Sequence, residues 1–444
     1  MKSTTGLLCP PAALSIFFLT LASILAPVSG LCAEEPPPSL SLSEAYQLAL
    51  EQSEALARNE EAVRRAEGIY KQTVSTLYPQ ISGIARERLN DERKFSTSAN
   101  LDDNDDNNRG GSRQETDRFE TGLRVTQLIF NGFRNWYLSE AAQSDIRAQQ
   151  YITERQKQLL YGDVAELFNQ TLLYEADIKV LKGTEEVLKK RLGELSGWLE
   201  LGKSKESEVL EAKSDLISVQ AQVEQSAYFL AATKELLAFL TGRPAAEMNL
   251  APDAPVFLLA PIDSYIASAE DRPDIRAAKT RVEAEEKRLK AAYRDRWPRL
   301  DFEGNGYAYQ SSDQQGDWDV NILLSVPIFT GGRLAGQEQE AIALLNSQKL
   351  SLQELERLKN RDIRVAYVNV KGAVAELERL RALITAAQKS LAAQRRDYEL
   401  GIVNNLDVLR AIQGLQNAER RYIATDFQHR TNIAHLKVAA GDLQ

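Results

Sequence analysis

Apolar and polar residues alternate along several short stretches of the chain, and each stretch predicts a β-strand with two different faces. Residues 318–328 alternate most clearly, with Leu323 as the exception: Trp318, Val320, Ile322, Leu324, Val326 and Ile328 face Asp319, Asn321 and Ser325. Residues 119–129 and 300–305 also alternate, whereas the stretch after Tyr78 does so poorly. Such strands suit a barrel with lipid outside and water inside, but a half-buried soluble sheet has the same pattern.

Two much longer stretches keep a helical period instead. Residues 132–199 and 331–399 contain no proline, and each predicts a helix roughly 100 Å long. An apolar stripe at three- and four-residue spacing runs along both stretches: Leu181, Leu188, Leu192, Leu195 and Leu199 in the first, and Leu377, Leu380, Ile384, Ala387, Leu391 and Tyr398 in the second. This period predicts coiled-coil packing.

The chain contains an internal repeat, because landmarks of its first half recur 199 positions later. Ile129-Phe130-Asn131-Gly132 matches Ile328-Phe329-Thr330-Gly331, and Leu201-Gly202 matches Leu400-Gly401. Together with the N-terminal segment described below, the repeat divides the chain into a signal peptide (1–33), a first structural repeat (34–241), a linker (242–263) and a second structural repeat (264–444). Each repeat is expected to contain a helix, two strands and a long helical hairpin.

The two halves differ in one loop and share the design of their hairpin turns. Residues 91–117, rich in Asp and Asn, hold the extra length of the first half and predict a mobile loop between two strands. Each long helix should end at a glycine turn, Gly202 or Gly401. The predicted caps and first-turn acids of the following helices are Ser204, Glu206 and Glu208 in the first half, and Asn404 or Asn405 and Asp407 in the second.

The N-terminus resembles a secretory signal, with Lys2 before an apolar segment at residues 12–26 and a cleavage site near Ala33. An uncleaved anchor and a lipid-anchored Cys32 are the alternatives, but the apolar segment is short and Leu31 and Ser29 do not fit a lipoprotein signal. Both cysteines lie in or beside this segment, so a disulfide framework is not expected. A net charge of −9 gives no indication of nucleic-acid binding.

Residues that could support catalysis or metal binding are scarce in the sequence. His429 and His435 are six positions apart and do not share a helical face. The sequence has no phosphate loop, nucleophile elbow or zinc motif. We therefore expect no enzymatic activity, no metal and no cofactor.

Motifs spread over residues 40–440 resemble the TolC-like outer-membrane factors, the outer membrane efflux protein family. The residues that carry the resemblance are Leu40-Ser41-Leu42-Ser43-Glu44-Ala45, Arg272-Pro273-Asp274, Ile328-Phe329-Thr330-Gly331-Gly332-Arg333, Tyr398 with Gly401, and Asp407-Val408-Leu409 with Ala411. Ser53-Glu54 stands where the family usually has Asn-Pro.

The resemblance implies a mostly α-helical chain that also contributes to a membrane β-barrel. Family members form homotrimers, in which each protomer gives four strands to a twelve-stranded barrel in the Gram-negative outer membrane. Their helices continue as a periplasmic coiled-coil tube. The implied partners are a periplasmic adaptor, an inner-membrane pump driven by protons or by ATP, and outer-membrane lipid. The duct itself conducts passively.

The resemblance also implies two sets of site residues. The periplasmic gate matches Asp407 and Arg410. At the position of Arg410 the best-known family pattern has a second acid. The first-half counterparts of the two residues are Glu208 and Glu211. Asp407 could equally be a charge that favours the start of a helix. The expected adaptor contacts are the hairpin tips: Leu201, Gly202, Lys203, Leu400, Gly401 and Ile402.

Two alternative functions stay open beside an efflux channel. The same fold could serve a one-step (type I) protein secretion system. A structural coiled-coil protein of the envelope is a more remote alternative, because it gives no reason for two-faced strands between long helices.

Overall fold

The computed structural model describes residues 39–89, 117–252, 257–310 and 317–442. The expected signal peptide and nearly all of the expected acidic loop lie outside these residues. The first half contains α1 (Leu42–Gln52), α2 (Glu54–Ser75), β1 (Gln80–Leu89), β2 (Asp117–Phe130), α3 (Arg134–Glu200) and α4 (Glu206–Thr241). The second half contains α5 (Ile262–Ser268), α6 (Pro273–Arg294), β3 (Arg299–Gln310), β4 (Trp318–Ser325), α7 (Arg333–Glu399) and α8 (Asn405–Ala440). Short 3₁₀ turns at Ala245–Glu247 and Ala269–Asp271 complete the order.

The long helices α3 and α7 have 67 residues each, and α4 and α8 have 36 each. At about 1.5 Å per residue, α3 and α7 are each roughly 100 Å long, as predicted. Both long helices follow a residue with left-handed backbone, Gly332 before α7 (φ 87°) and Phe133 before α3 (φ 66°). A left-handed residue other than glycine costs roughly 1–2 kcal/mol. Phe133 is the one such residue in the part of the chain that is described.

The helix starts after the hairpin turns differ between the two halves. Asn404 caps α8 as predicted. Its side-chain oxygen accepts from the backbone N–H of Asp407, and its own backbone N–H donates to the Asp407 carboxylate, which completes a capping box. The predicted Ser204 cap was wrong, because α4 begins one residue later than that cap requires and Lys205 occupies the position. The Ser204 hydroxyl instead donates to Glu208 Oε2 at 2.7 Å.

The four strands form one antiparallel sheet in chain order. The β2–β3 register shifts beside Gly122, where an added Cβ would lie 2.1 Å from the carbonyl oxygen of Gly306, so this close approach requires glycine. The prediction that the last strand reaches Ile328 was wrong. Strand β4 ends at Ser325, and Pro327 has no N–H to continue the ladder.

In the part of the chain that the structure describes, three apolar clusters hold the helices together. One surrounds Phe168 and joins α1, α3 and α4. The second contains Leu181, Leu188 and Leu195 of the predicted α3 stripe, packed against α4, α7 and α8. The third joins α5, α7 and α8 around Ile363. None of the helices in the described ranges is both long enough and apolar enough to cross a membrane.

Candidate functional site

The two hairpin turns present the predicted tip residues to solvent. Leu201, Leu400 and Ile402 are each about 70% exposed, at 69%, 73% and 69%. Gly202 and Gly401 have φ of 70° and 74°, and an added Cβ on either would meet no neighbouring atom. Both glycines are therefore required by backbone conformation and not by crowding. The result is a pair of short turns whose apolar side chains have little cover from their own chain.

The predicted gate residues of the second half lie close to each other. Asp407 Oδ1 is 3.9 Å from Arg410 Nη1, across one turn of α8. The Arg410 side chain is 68% exposed, so the pair contributes at most about 1 kcal/mol to the stability of one protomer. Asp407 also accepts from the backbone N–H of Asn404. Its role at the helix start is thus present in the structure whether or not it also acts in gating.

Glu208 and Glu211, the first-half counterparts of the gate residues, differ in how they relate to α8. The side-chain amide of Asn405 donates to the backbone carbonyl of Glu208 at 3.4 Å, so the starts of α4 and α8 lie side by side. Glu211 is exposed and lies one turn from Asp215. Burial, and then the Glu211 charge, raises the pKa of the Asp215 carboxyl, against a hydrogen bond from Gln413 of α8. Among the contacts observed for the described residues, Glu208 thus meets α8 through its backbone carbonyl, and Glu211 acts on Asp215.

A buried arginine near the tips, absent from the sequence predictions, joins α3 to the second hairpin. Arg191 Nε donates to Asn405 Oδ1 at 3.0 Å, and the residue is 9% exposed. Its guanidinium carbon lies 4.0 Å from the ring centroid of Tyr398 and 5.5 Å from that of Trp198. The two rings stack at 5.7 Å. Burial, and then the Glu208 charge, raises the pKa of Tyr398. We call the side chains of Arg191, Asn405, Tyr398 and Trp198 the Arg191 clasp.

A polar layer farther from the tips crosses the same helices. Asp177 of α3 accepts two hydrogen bonds from Arg420 of α8, at 2.6 and 3.0 Å, and one from Ser226 of α4 at 2.7 Å. Arg420 also donates to Gln222 at 2.8 Å. Because the layer places polar partners on helices that otherwise pack through apolar side chains, we expect it to favour one register of the three helices.

The sheet has one apolar and one polar face, as the alternation predicts. Large apolar side chains on the first face are exposed, among them Ile81, Leu123, Ile322 and Leu324. On the opposite face Arg124 Nε donates to Asn305 Oδ1 at 2.8 Å and lies 3.2 Å from Glu303 Oε1. The Asn305 amide also donates to Asp319 at 3.0 Å. Exposed apolar side chains over a whole sheet face require a covering that this single chain does not supply.

The two histidines stay apart from these sites. His435 Nε2 is 3.7 Å from Glu166 Oε2, whereas burial lowers the pKa of His429. Within the described ranges, no group of three or more His, Cys, Asp or Glu side chains is arranged to hold a metal ion.

Known proteins are similar to this chain over most of its length. A family model described as "Outer membrane efflux protein" matches residues 45–243 and 266–442. The cation efflux system protein CusC of Escherichia coli O157:H7 is 26% identical over 416 residues, which cover 88% of this chain and 84% of that protein. The alkaline protease secretion protein AprF of Pseudomonas aeruginosa is 23% identical over 344 residues, 74% of this chain and 71% of that protein. A membrane protein from Pseudomonas aeruginosa, known from its crystal structure, has the same fold, with a TM-score of 0.80 at 21% identity and coverage of 90% and 93%.

Proposed function

We propose that this chain, which belongs to the outer membrane efflux protein family and is a channel of the Gram-negative outer membrane, is the exit duct of a tripartite efflux system. In this proposal an inner-membrane pump and a periplasmic adaptor deliver substrates, and the duct conducts them passively to the exterior. The pump, driven by protons or by ATP, supplies the energy.

The observation that carries the proposal is the pairing of a small two-faced sheet with two helices of 67 residues in one chain. The sheet ends at β1 and β4, whose outer edges have no strand partner in the described residues. Three copies would join these edges into a closed barrel of twelve strands, with the apolar face toward lipid and the Arg124 face toward water. The helices of the three copies would continue the barrel as a periplasmic tube.

The proposed protomer keeps the organisation expected from the repeat. After the signal peptide (1–33), the repeats at 34–241 and 264–444 flank the linker at 242–263. The turns around Gly202 and Gly401 would contact the adaptor, and Asp407 and Arg410, with Glu208 and Glu211 beside them, would line the periplasmic gate. Support comes from the exposed apolar tips and from the proximity of the starts of α4 and α8.

A protein secretion duct is the second candidate function, and the match to AprF favours it. CusC, named for cation efflux, covers more of the chain at higher identity, so small-substrate efflux is the first choice. Deleting the gene in its host tests both. We expect a fluorescent efflux dye to accumulate in the deleted cells and the full chain to reverse the accumulation. Loss of a protein from the medium without dye accumulation would support secretion. If the deleted cells show neither dye accumulation nor loss of a secreted protein, an export function is refuted.

A further inference from the structure

A cavity of about 880 Å³ lies where the sheet meets the long helices. All four strands contribute to its lining, together with the end of α6 and the first turns of α3 and α7. Most of the strand residues in the lining lie on the Arg124 face: Thr126 follows Arg124 by two positions, and Glu303 stands opposite Thr126. The cavity therefore opens on the face that the proposed function places toward water.

Charged side chains line the cavity, and arginines are in excess. The lining contains four arginines and three carboxylates. Each carboxylate already has an arginine within 3.2 Å: Asp295 with Arg134, Asp301 with Arg299, and Glu303 with Arg124. Arg294 and Arg333 complete the set of arginines, and neither forms an ion pair within the residues that the structure describes. Two positive charges thus remain for a ligand of opposite charge.

Both of these arginines keep hydrogen-bond donors for such a ligand. The guanidinium carbon of Arg294 lies 4.8 Å from the ring centroid of Trp297 and 5.8 Å from that of Tyr137, so the rings hold the group in place. The Arg294 side chain donates no hydrogen bond among the described residues, and Arg333 donates to Gln337 Oε1 at 3.1 Å. A guanidinium has several N–H donors in one plane, which suits a carboxylate, sulfonate or phosphate group.

Two leucines interrupt the polar face at the same place. Leu128 and Leu323 both stand opposite Asp301, and both line the cavity. Leu323 is 55% exposed and is the exception in the alternation of β4. Trp297, beside Arg294, is 45% exposed. A wall that met only water would gain nothing from these apolar side chains, whereas a ligand with an apolar part would cover them.

We propose that this cavity binds organic anions, small molecules that carry a carboxylate, sulfonate or phosphate group on an apolar ring or chain. Arg294 and Arg333 bind the anionic group, and Leu128, Leu323 and Trp297 contact the apolar part. The inference rests on the proposed function and names a class of substrate for the duct. A lipid headgroup has the same anionic chemistry, but the cavity opens on the face opposite to the apolar face of the sheet.

Block of the single-channel current in a phosphatidylcholine bilayer tests the site. We expect 2-naphthalenesulfonate to lower the open-channel current of the wild type at concentrations where 1-naphthylmethylammonium, a cation with the same ring, leaves it unchanged. Arg294→Gln and Arg333→Gln should each raise the half-blocking concentration roughly tenfold, because each removes a hydrogen bond between charged groups. Leu323→Asn should weaken block by naphthalenesulfonate and leave any block by methanesulfonate, which has no ring, at its wild-type strength.

Arg296→Gln is the matched control. Arg296 has a 56% exposed side chain, lies two positions from Arg294, donates to Glu338 and does not line the cavity, so its loss should leave the block unchanged. Arg333 is exposed, so Arg333→Gln keeps the test valid where Arg294→Gln fails to fold.

Several results would overturn the site. They are equal block by the anion and the cation, block that both arginine variants leave unchanged, and block by methanesulfonate as strong as that by naphthalenesulfonate. A wild-type channel that conducts and is not blocked by naphthalenesulfonate would overturn the site and leave the proposed function standing. A purified protein that never conducts would overturn both.

Discussion

Substitution of Arg191 by alanine should loosen the attachment of the second hairpin to α3 near the tips. The change removes a charged hydrogen bond to Asn405, worth about 1.5 kcal/mol or more, and a cation–π contact with Tyr398 worth roughly 1 kcal/mol. The ion pair with Glu194, whose own side chain is 41% exposed, adds less than about 1 kcal/mol. Together these give roughly 3 kcal/mol, so separation of the helices at the tips should become about 100-fold more frequent.

Single-channel recording in planar bilayers measures this separation as longer and larger open events. Arg191→Lys keeps the charge but loses the planar fork and the stacking, so we expect an intermediate result. Lys189→Ala is the matched control, because Lys189 lies on the same helix, is 55% exposed and pairs only with Glu185 among the contacts observed for the described residues. If Arg191→Ala leaves conductance and open times within threefold of wild type in a normally folded protein, the clasp does not hold the tips together.

Three further predictions concern the gate, the tip and pH. Arg410→Asp should raise conductance and cation selectivity, whereas Asp407→Ala should loosen the closed state and shift selectivity toward anions; unchanged reversal potentials in both would leave Asp407 as a helix cap alone. Gly401→Asp should abolish dye efflux at normal protein level, with Gly401→Asn as the uncharged control that also tolerates the left-handed turn; normal efflux in the Asp variant would argue against tip docking. Because burial lowers the pKa of His429, its neutral form stabilises the fold above about pH 6.5, and this contribution is lost as pH falls below that value. His429→Gln should therefore flatten the fall in melting temperature between pH 6.5 and 5, and an identical slope would contradict the assignment.

The sequence predicted the long-range plan of the fold because that plan depends on local periodicity. Proline-free stretches with a leucine stripe fixed both 67-residue helices, and period-two alternation located the strands. The Asn404 cap also depends on neighbouring residues alone, through Asp407 three positions later. Errors of one to three residues arose at the ends of elements. At Ser204, for example, the hydroxyl donates to the Glu208 carboxylate and does not accept from a backbone N–H as a cap would.

Contacts between distant parts of the chain escaped prediction. Arg191 lies beside the apolar stripe of α3, and nothing near it in sequence shows that Asn405, 214 positions away, receives its hydrogen bond. The polar layer has the same character, since Asp177 and Arg420 are 243 positions apart. The left-handed Phe133 was also missed, although comparison of the two repeats offered a signal, because glycine stands at its counterpart, Gly332.

The central claim is that copies of this chain close into a conducting duct, and recording from the purified protein tests it most directly. Protein whose mass in detergent corresponds to three chains should, on addition to a planar bilayer, produce discrete and uniform conductance steps. The same preparation carrying Arg191→Ala should produce larger or longer steps. A folded trimer that never conducts, or a stable monomer in detergent, would contradict the account.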